Sequence, residues 1–228
     1  EPKSELPEES GGWCDYMVEL EFFKSMPEGI RKDAWFLTKV TMTGQERNPE
    51  TGRYPLLNWD DPATNQKHPY WKKNIESSDW VFNYDDGYYE TKGISSASGK
   101  TRMIFRYADI LLLYAEAVAY GTKSIDDLAF DCMWRVQERA GVPLISKDVT
   151  KEYFQKAVLD ERRWETAGME HSCMGRFFTM QRHEILHLQK NYRDAAELSL
   201  NPNLTLSEEF YYFPIPDNEL LIVPGLKD

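Results

Sequence analysis

The chain has 228 residues, 41% of them hydrophobic, which is enough for one sizeable core or two small ones, and one domain is the default expectation. A formal charge of −11 and a pI near 5.0 oppose binding to nucleic-acid phosphates or anionic lipid faces by general electrostatics. Cys14, Cys132 and Cys173 are odd in number and form no CxxC pair, so neither a disulfide scaffold nor a four-thiolate zinc site is indicated, and Cys132 is expected to fill core.

The opening EPKSELPEESGG, rich in Pro, Glu and Ser, reads as a flexible lead. It shows no initiating Met, signal peptide or lipid-modified Cys, which implies a missing upstream segment. Asp15 to Ser25 is predicted to form a short helix ended by Pro27, and Trp35 to Thr43 alternates like a strand. From Gly44 to Gly99 the chain is punctuated by Gly, Pro, Asn and Asp without a sustained apolar period, which predicts a long irregular excursion. Nine aromatic residues (Tyr54, Trp59, Tyr70, Trp71, Trp80, Phe82, Tyr84, Tyr88 and Tyr89) crowd into that excursion, where the chain average is 14%.

Arg106 to Tyr120, RYADILLLYAEAVAY, is predicted to be a central helix buried on all sides. Arg106, Asp109, Leu113 and Glu116 share one narrow face of it, and Arg106 and Asp109 are spaced to pair as a structural couple. The helix is too short and too charged to cross a bilayer. Ser124 and Asp127 read as the capping box of a second helix, with Ala129, Cys132, Met133, Val136 and Ala140 on its apolar face and Gly141 and Pro143 ending it. Thr150 caps a third, with Phe154, Ala157, Val158 and Trp164 on its apolar side, and Arg176 to Tyr192 suits a fourth. The tail after Asn201, with Pro202, Pro214, Pro216 and Pro224, is expected to run extended.

Three patterns carry candidate chemistry. In WVFNYDDGYY, Trp80, Asn83, Tyr84, Asp86 and Tyr88 combine flat ring faces, which pack on the C–H faces of sugars, with amides and carboxylates that fix hydroxyls. The plain alternative is that several of these rings fill core beneath the loop. RHEILH contains H-E-x-x-H; on a helix His183 and His187 would share a face able to hold zinc, with Glu184 as general base. The metzincin extension is absent, with Lys190 and Arg193 in its Gly and His places, so a coincidental surface HEILH is the preferred reading. Glu161 and Glu165, four apart on one helix, approach the spacing of a retaining glycosidase pair, yet Arg106, Arg162 and Arg163 offer neutralising partners and favour a structural ion network. No phosphate loop, nucleophile elbow or catalytic triad spacing appears, and no cofactor is expected. His68 and His171 are isolated, and His68 is expected to be solvated.

Four blocks, RYADILLLYAEA, RVQERAGVPLI, VLDERRWETAG and YFPIPDNEL, follow in the order of the SusD/RagB family and together resemble its members, the surface nutrient-binding lipoproteins of Bacteroidetes. GIRKDAWF is similar to a further family segment, with Gly29 or Ile30 in place of its Asp. Departures lie at Trp134 and Gln137 in the second block, at an insertion near Met169 to Met174, at Thr179 and at Val223.

The resemblance implies a mainly α, SusD-like fold of tetratricopeptide-like helix pairs with long irregular loops and little strand. It would correspond to the C-terminal part of the family, without the N-terminal repeats and lipid anchor. Residues 1–12 would be a lead, 13–100 a loop-rich ligand side, 101–200 a helical scaffold and 201–228 an extended tail. Arg106, Asp109, Glu116, Glu161, Arg162 and Glu165 would be architectural. The implied function is non-catalytic capture of an oligosaccharide at the outer-membrane surface, for import through a SusC-like TonB-dependent transporter. Membrane contact would come only through the absent anchor. A RagB-like peptide binder is the alternative, and a zinc metallopeptidase built on HEILH a further one.

Overall fold

In the computed structural model the described residues are 2–4, 18–42, 46, 48–50, 52, 55–64, 67–72, 80–83, 88–91, 104–168, 170–188, 193–200, 215–223 and 225. The first elements are β1 (Pro2–Ser4), α1 (Leu20–Ser25), α2 (Ile30–Trp35), β2 (Phe36–Leu37) and β3 (Lys39–Met42). The stretch expected as one strand from Trp35 is thus divided, its first residue closing a helix. Part of the supposed lead is paired as well, with Lys3 opposite Thr41 in an antiparallel ladder.

Two-residue strands β4 (Leu57–Asn58) and β5 (Tyr70–Trp71) pair with β3 and β2, and β6 (Trp80–Asn83) forms an antiparallel hairpin with β7 (Tyr88–Thr91). The region expected to be irregular therefore carries short ladders. A small aromatic core gathers α1, α2 and β2: Phe23 meets Phe36 edge-on at 5.1 Å, and Trp59, Trp71 and Trp164 pack around them. Gly168, at φ +65, permits this approach, because a Cβ there would lie 2.4 Å from the Trp71 ring.

The main core belongs to α3 (Tyr107–Tyr120), α4 (Asp127–Ala140) and α5 (Lys151–Thr166). Tyr107 meets Arg135 and Tyr114 meets Asp126, so α4 runs antiparallel to α3. Gln155 reaches the Ala119 carbonyl while Glu165 meets Arg106, so α5 is antiparallel to α3 on another side. Leu112, Ala115, Ala119, Met133, Phe154 and Val158 are fully enclosed between them, and the alanines let the axes approach. Thr150 caps α5 as expected. For α4 the cap is Asp126, which accepts from Ala129 N at 2.8 Å, rather than the Ser124 and Asp127 pair.

The expectation that α3 is covered all round is corrected. Its charged positions Asp109 and Glu116 point inward, while Tyr107, Ile110, Leu113, Tyr114 and Tyr120 form an uncharged exposed face. These inward charges are tolerated because Arg106, at the start of the same helix, meets Asp109, and Arg162 and Arg182 meet Glu116.

The chain continues through α6 (Glu170–Arg182), α7 (Ala195–Leu200) and α8 (Asp217–Ile222). Within the tail expected to run extended, Asp217–Ile222 is helical, since Pro216 fits the N-terminal edge of a helix, where a missing N–H costs nothing; residues 201–214 lie outside the described residues. The architecture is mainly helical with little sheet. Among the described residues no helix is long and apolar enough to cross a membrane.

Candidate functional site

The hairpin β6–β7 brings together much of the aromatic stretch. Its register sets Trp80 opposite Thr91, Phe82 opposite Tyr89 and Asn83 opposite Tyr88. With a period of two, positions 80, 82, 89 and 91 share one face of the ladder and 81, 83, 88 and 90 the other. Trp80, Asn83 and Tyr88 are described through their backbone, and Tyr84 and Asp86 lie outside the described residues. Of the other aromatics, Trp59 and Trp71 are half-buried in the small core, and Tyr70 is half-buried beside them in sequence. Tyr54 is outside the described residues.

A buried ion-pair network runs through the helical layer. Arg106 spans three acceptors: its Nη1 donates to Glu165 Oε1 at 2.8 Å and its Nη2 to Asp109 Oδ1 at 3.2 Å and the Glu165 carbonyl at 2.9 Å. Asp109 also accepts the Arg106 backbone N–H at 2.8 Å, which holds the first turn of α3. Glu165 further accepts from Arg31 at 3.2 Å and from Arg139, and Arg31 is shared with Glu161. One guanidinium nitrogen thus touches both carboxylates of the supposed glycosidase pair. A sugar has no place between acids bridged in that way, and a carboxylate clamped by cations is a poor base. Burial nevertheless pushes the Glu161 carboxyl up, against the pull of Arg31.

Glu116 anchors a second part of the network. Arg162 and Arg182 donate to it, and His183 Nε2 lies 2.7 Å from its Oε1 while the imidazole stacks on Tyr120 at 4.0 Å. Burial pushes the Glu116 carboxyl up, but the hydrogen bonds from Arg182 and His183 and the charge of Arg162 outweigh it and hold the group below its usual range. Burial lowers the Arg162 guanidinium despite Glu116, and the Tyr120 phenol is raised by burial and by the same carboxylate.

The fourth helix stops at Arg182, short of the Tyr192 expected, and Glu184 adopts a left-handed φ of +55. His183 and His187 therefore do not share a helix face. His183 is directed to Glu116 and His187 is exposed in the following turn, so HEILH lacks the geometry that zinc chemistry needs. Among the described residues no cluster of three His, Cys, Asp or Glu is placed to hold a metal ion. His68 is tied by Nδ1 to the Val18 carbonyl at 2.7 Å rather than solvated. Sequence reasoning missed Arg31, Arg139, Arg182 and His183 as members of the network, because their partners lie far away in the chain.

A family model described as the SusD family matches residues 2–228, well beyond the four blocks noted in the sequence. No curated protein and no solved structure matches.

Proposed function

The chain belongs to the SusD family, and from that premise we propose that it captures an oligosaccharide without catalysis and hands it to a SusC-like TonB-dependent transporter. Members of the family are nutrient-binding proteins, generally non-catalytic, typically associated with the outer-membrane surface and generally partnered by a transporter there. The observation that supports the glycan reading is the β6–β7 register, which sets an amide residue opposite an aromatic one at Asn83 and Tyr88, with the aromatic pair Phe82 and Tyr89 on the other face. Ring faces and hydroxyl-binding groups on one rigid ladder are what a pyranose needs. In this reading Asn83 and Tyr88, on one face of the ladder, touch the sugar with Tyr84 and Asp86, Trp80 belongs to the opposite face, and Arg106, Asp109, Glu116, Glu161, Arg162 and Glu165 hold the helical scaffold together.

A peptide is the second reading. It is favoured by the same ladder, whose outer edges have no third strand among the described residues and so offer backbone groups to an extended chain. Affinity electrophoresis against a glycan panel, with calorimetry against peptides, separates the two. Retardation by a glycan without heat from peptides is the expected result, and the reverse pattern gives the protein to peptides.

A further inference from the structure

One face of α5 borders a groove among the described residues. Tyr153, Lys156, Ala157, Asp160 and Trp164 recur along it at helical spacing, facing the α4–α5 connection across a groove of about 430 Å³. That volume suits a small ligand. The opposite wall is Leu144, Ile145 and Val149, and it is fixed in place: Ile145 N donates to Gln137 Oε1 at 2.9 Å, and the Ile145 carbonyl accepts from Trp134 Nε1 at 2.7 Å. Both backbone groups of the loop's central residue are thus tied to α4, so the groove does not depend on a ligand to form.

The groove's chemistry is balanced. At its mouth Lys156 and Asp160 pair at 3.0 Å, so neither an anion nor a cation meets an uncompensated charge. Glu161, deeper in, is already matched by Arg31. Trp164 Nε1 is buried on the side of the small core, so this residue gives the groove wall its ring rather than a donor. The Tyr153 ring stands 59% exposed beside Leu144, itself largely exposed. Aromatic and aliphatic walls beside a self-neutralised ion pair, whose ammonium can donate to a hydroxyl and whose carboxylate can accept from one, describe a site for a neutral molecule with both apolar faces and hydroxyls. We infer that this groove is a second saccharide subsite, separate from the hairpin, that takes a neutral mono- or disaccharide unit. The ligand class rests on the glycan reading above; the position does not.

The test is a titration of the full 228-residue chain, methyl-labelled at Ile, Leu and Val, with neutral gluco-, manno-, galacto- and xylo-disaccharides to about 10 mM. Leu144, Ile145 and Val149 report the groove, and Val81 reports the hairpin, so the two sites succeed or fail separately. The expected result is a saturable shift of the three groove methyls with one of the sugars, weakened about fivefold by Tyr153→Ala and also weakened by Lys156→Ala. Both substitutions are at exposed positions, and unchanged spectra elsewhere confirm that the fold is kept. Groove methyls unmoved by every sugar, moved equally in the Tyr153→Ala chain, or moved by tripeptides in place of sugars would overturn the inference. A silent Val81 with responsive groove methyls would count against the hairpin alone.

Discussion

Replacing Glu165 by Gln tests whether the buried network is what holds the helices in register. Its side chain is 0% exposed and serves Arg31, Arg106 and Arg139 at once. Gln keeps the shape and one acceptor oxygen but removes the charge that three guanidinium groups share. Arg31 is left with Glu161 and Arg106 with Asp109, and Arg139, more exposed, turns to water. Removing one partner of a buried pair costs up to about 3–5 kcal/mol, and here the three guanidinium groups would keep only Glu161 and Asp109 as counter-charges. For a chain of this size, at about 2 °C per kcal/mol, the melting temperature should fall by about 6–10 °C. Lys24→Ala, which removes an exposed pair with Glu21, is the control and should cost no more than about 0.5 kcal/mol. Calorimetric melting of the three chains reads the difference. A Glu165→Gln chain melting within about 2 °C of the unsubstituted one would refute the assignment of Glu165 as the network's centre.

Other outcomes follow from the same geometry. Gly29→Ala sets a Cβ 2.8 Å from the carbonyl oxygens of Ala140 and Gly141 at a φ of +154, so it should lower the urea midpoint by the equivalent of about 2 kcal/mol or more. Phe154→Ala empties a fully enclosed site that meets Phe130 at 4.8 Å, and should cost about 3–5 kcal/mol in the same assay. Glu116 has its carboxyl lowered in the folded state, so its contribution is present above its ordinary value of 4.5 and lost as pH falls through the folded value. The stability gap between the unsubstituted chain and Glu116→Gln should therefore narrow below pH 4.5, and a gap constant from neutral to acid pH would contradict the network around Glu116.

Helix positions were legible where the signal is local. The 3.6 period and the Thr150 cap mark α5, and the i,i+3 spacing marks the Arg106–Asp109 pair. Orientation was not legible for α3: few charges suggested burial on every side, but its two carboxylates are buried beside Leu112, Ala115 and Ala119 and meet Arg106, Arg162 and Arg182, while Tyr107, Ile110, Leu113, Tyr114 and Tyr120 are exposed. Low polarity alone does not decide which face is covered. Arg31 lies 130 residues from Glu161, and no local pattern announces such a contact. The left-handed Glu184, which ends α6 and parts the two histidines, likewise has no Gly to signal it. In the aromatic stretch, composition pointed to rings but not to their division between the small core, which takes Trp59 and Trp71, and the hairpin, whose pairing is set by backbone register.

The most direct measurement is the affinity of the chain for the best-bound member of a glycan panel, compared with that of Trp80→Ala and Tyr88→Ala. Loss of the Tyr88 ring, on the face that carries Asn83, should weaken binding by about 0.5–1.5 kcal/mol, Trp80→Ala on the other face should weaken it less, and the melting temperature should be unchanged in both. Glycan affinity identical in all three chains, or binding of peptides alone, would contradict sugar capture at the hairpin.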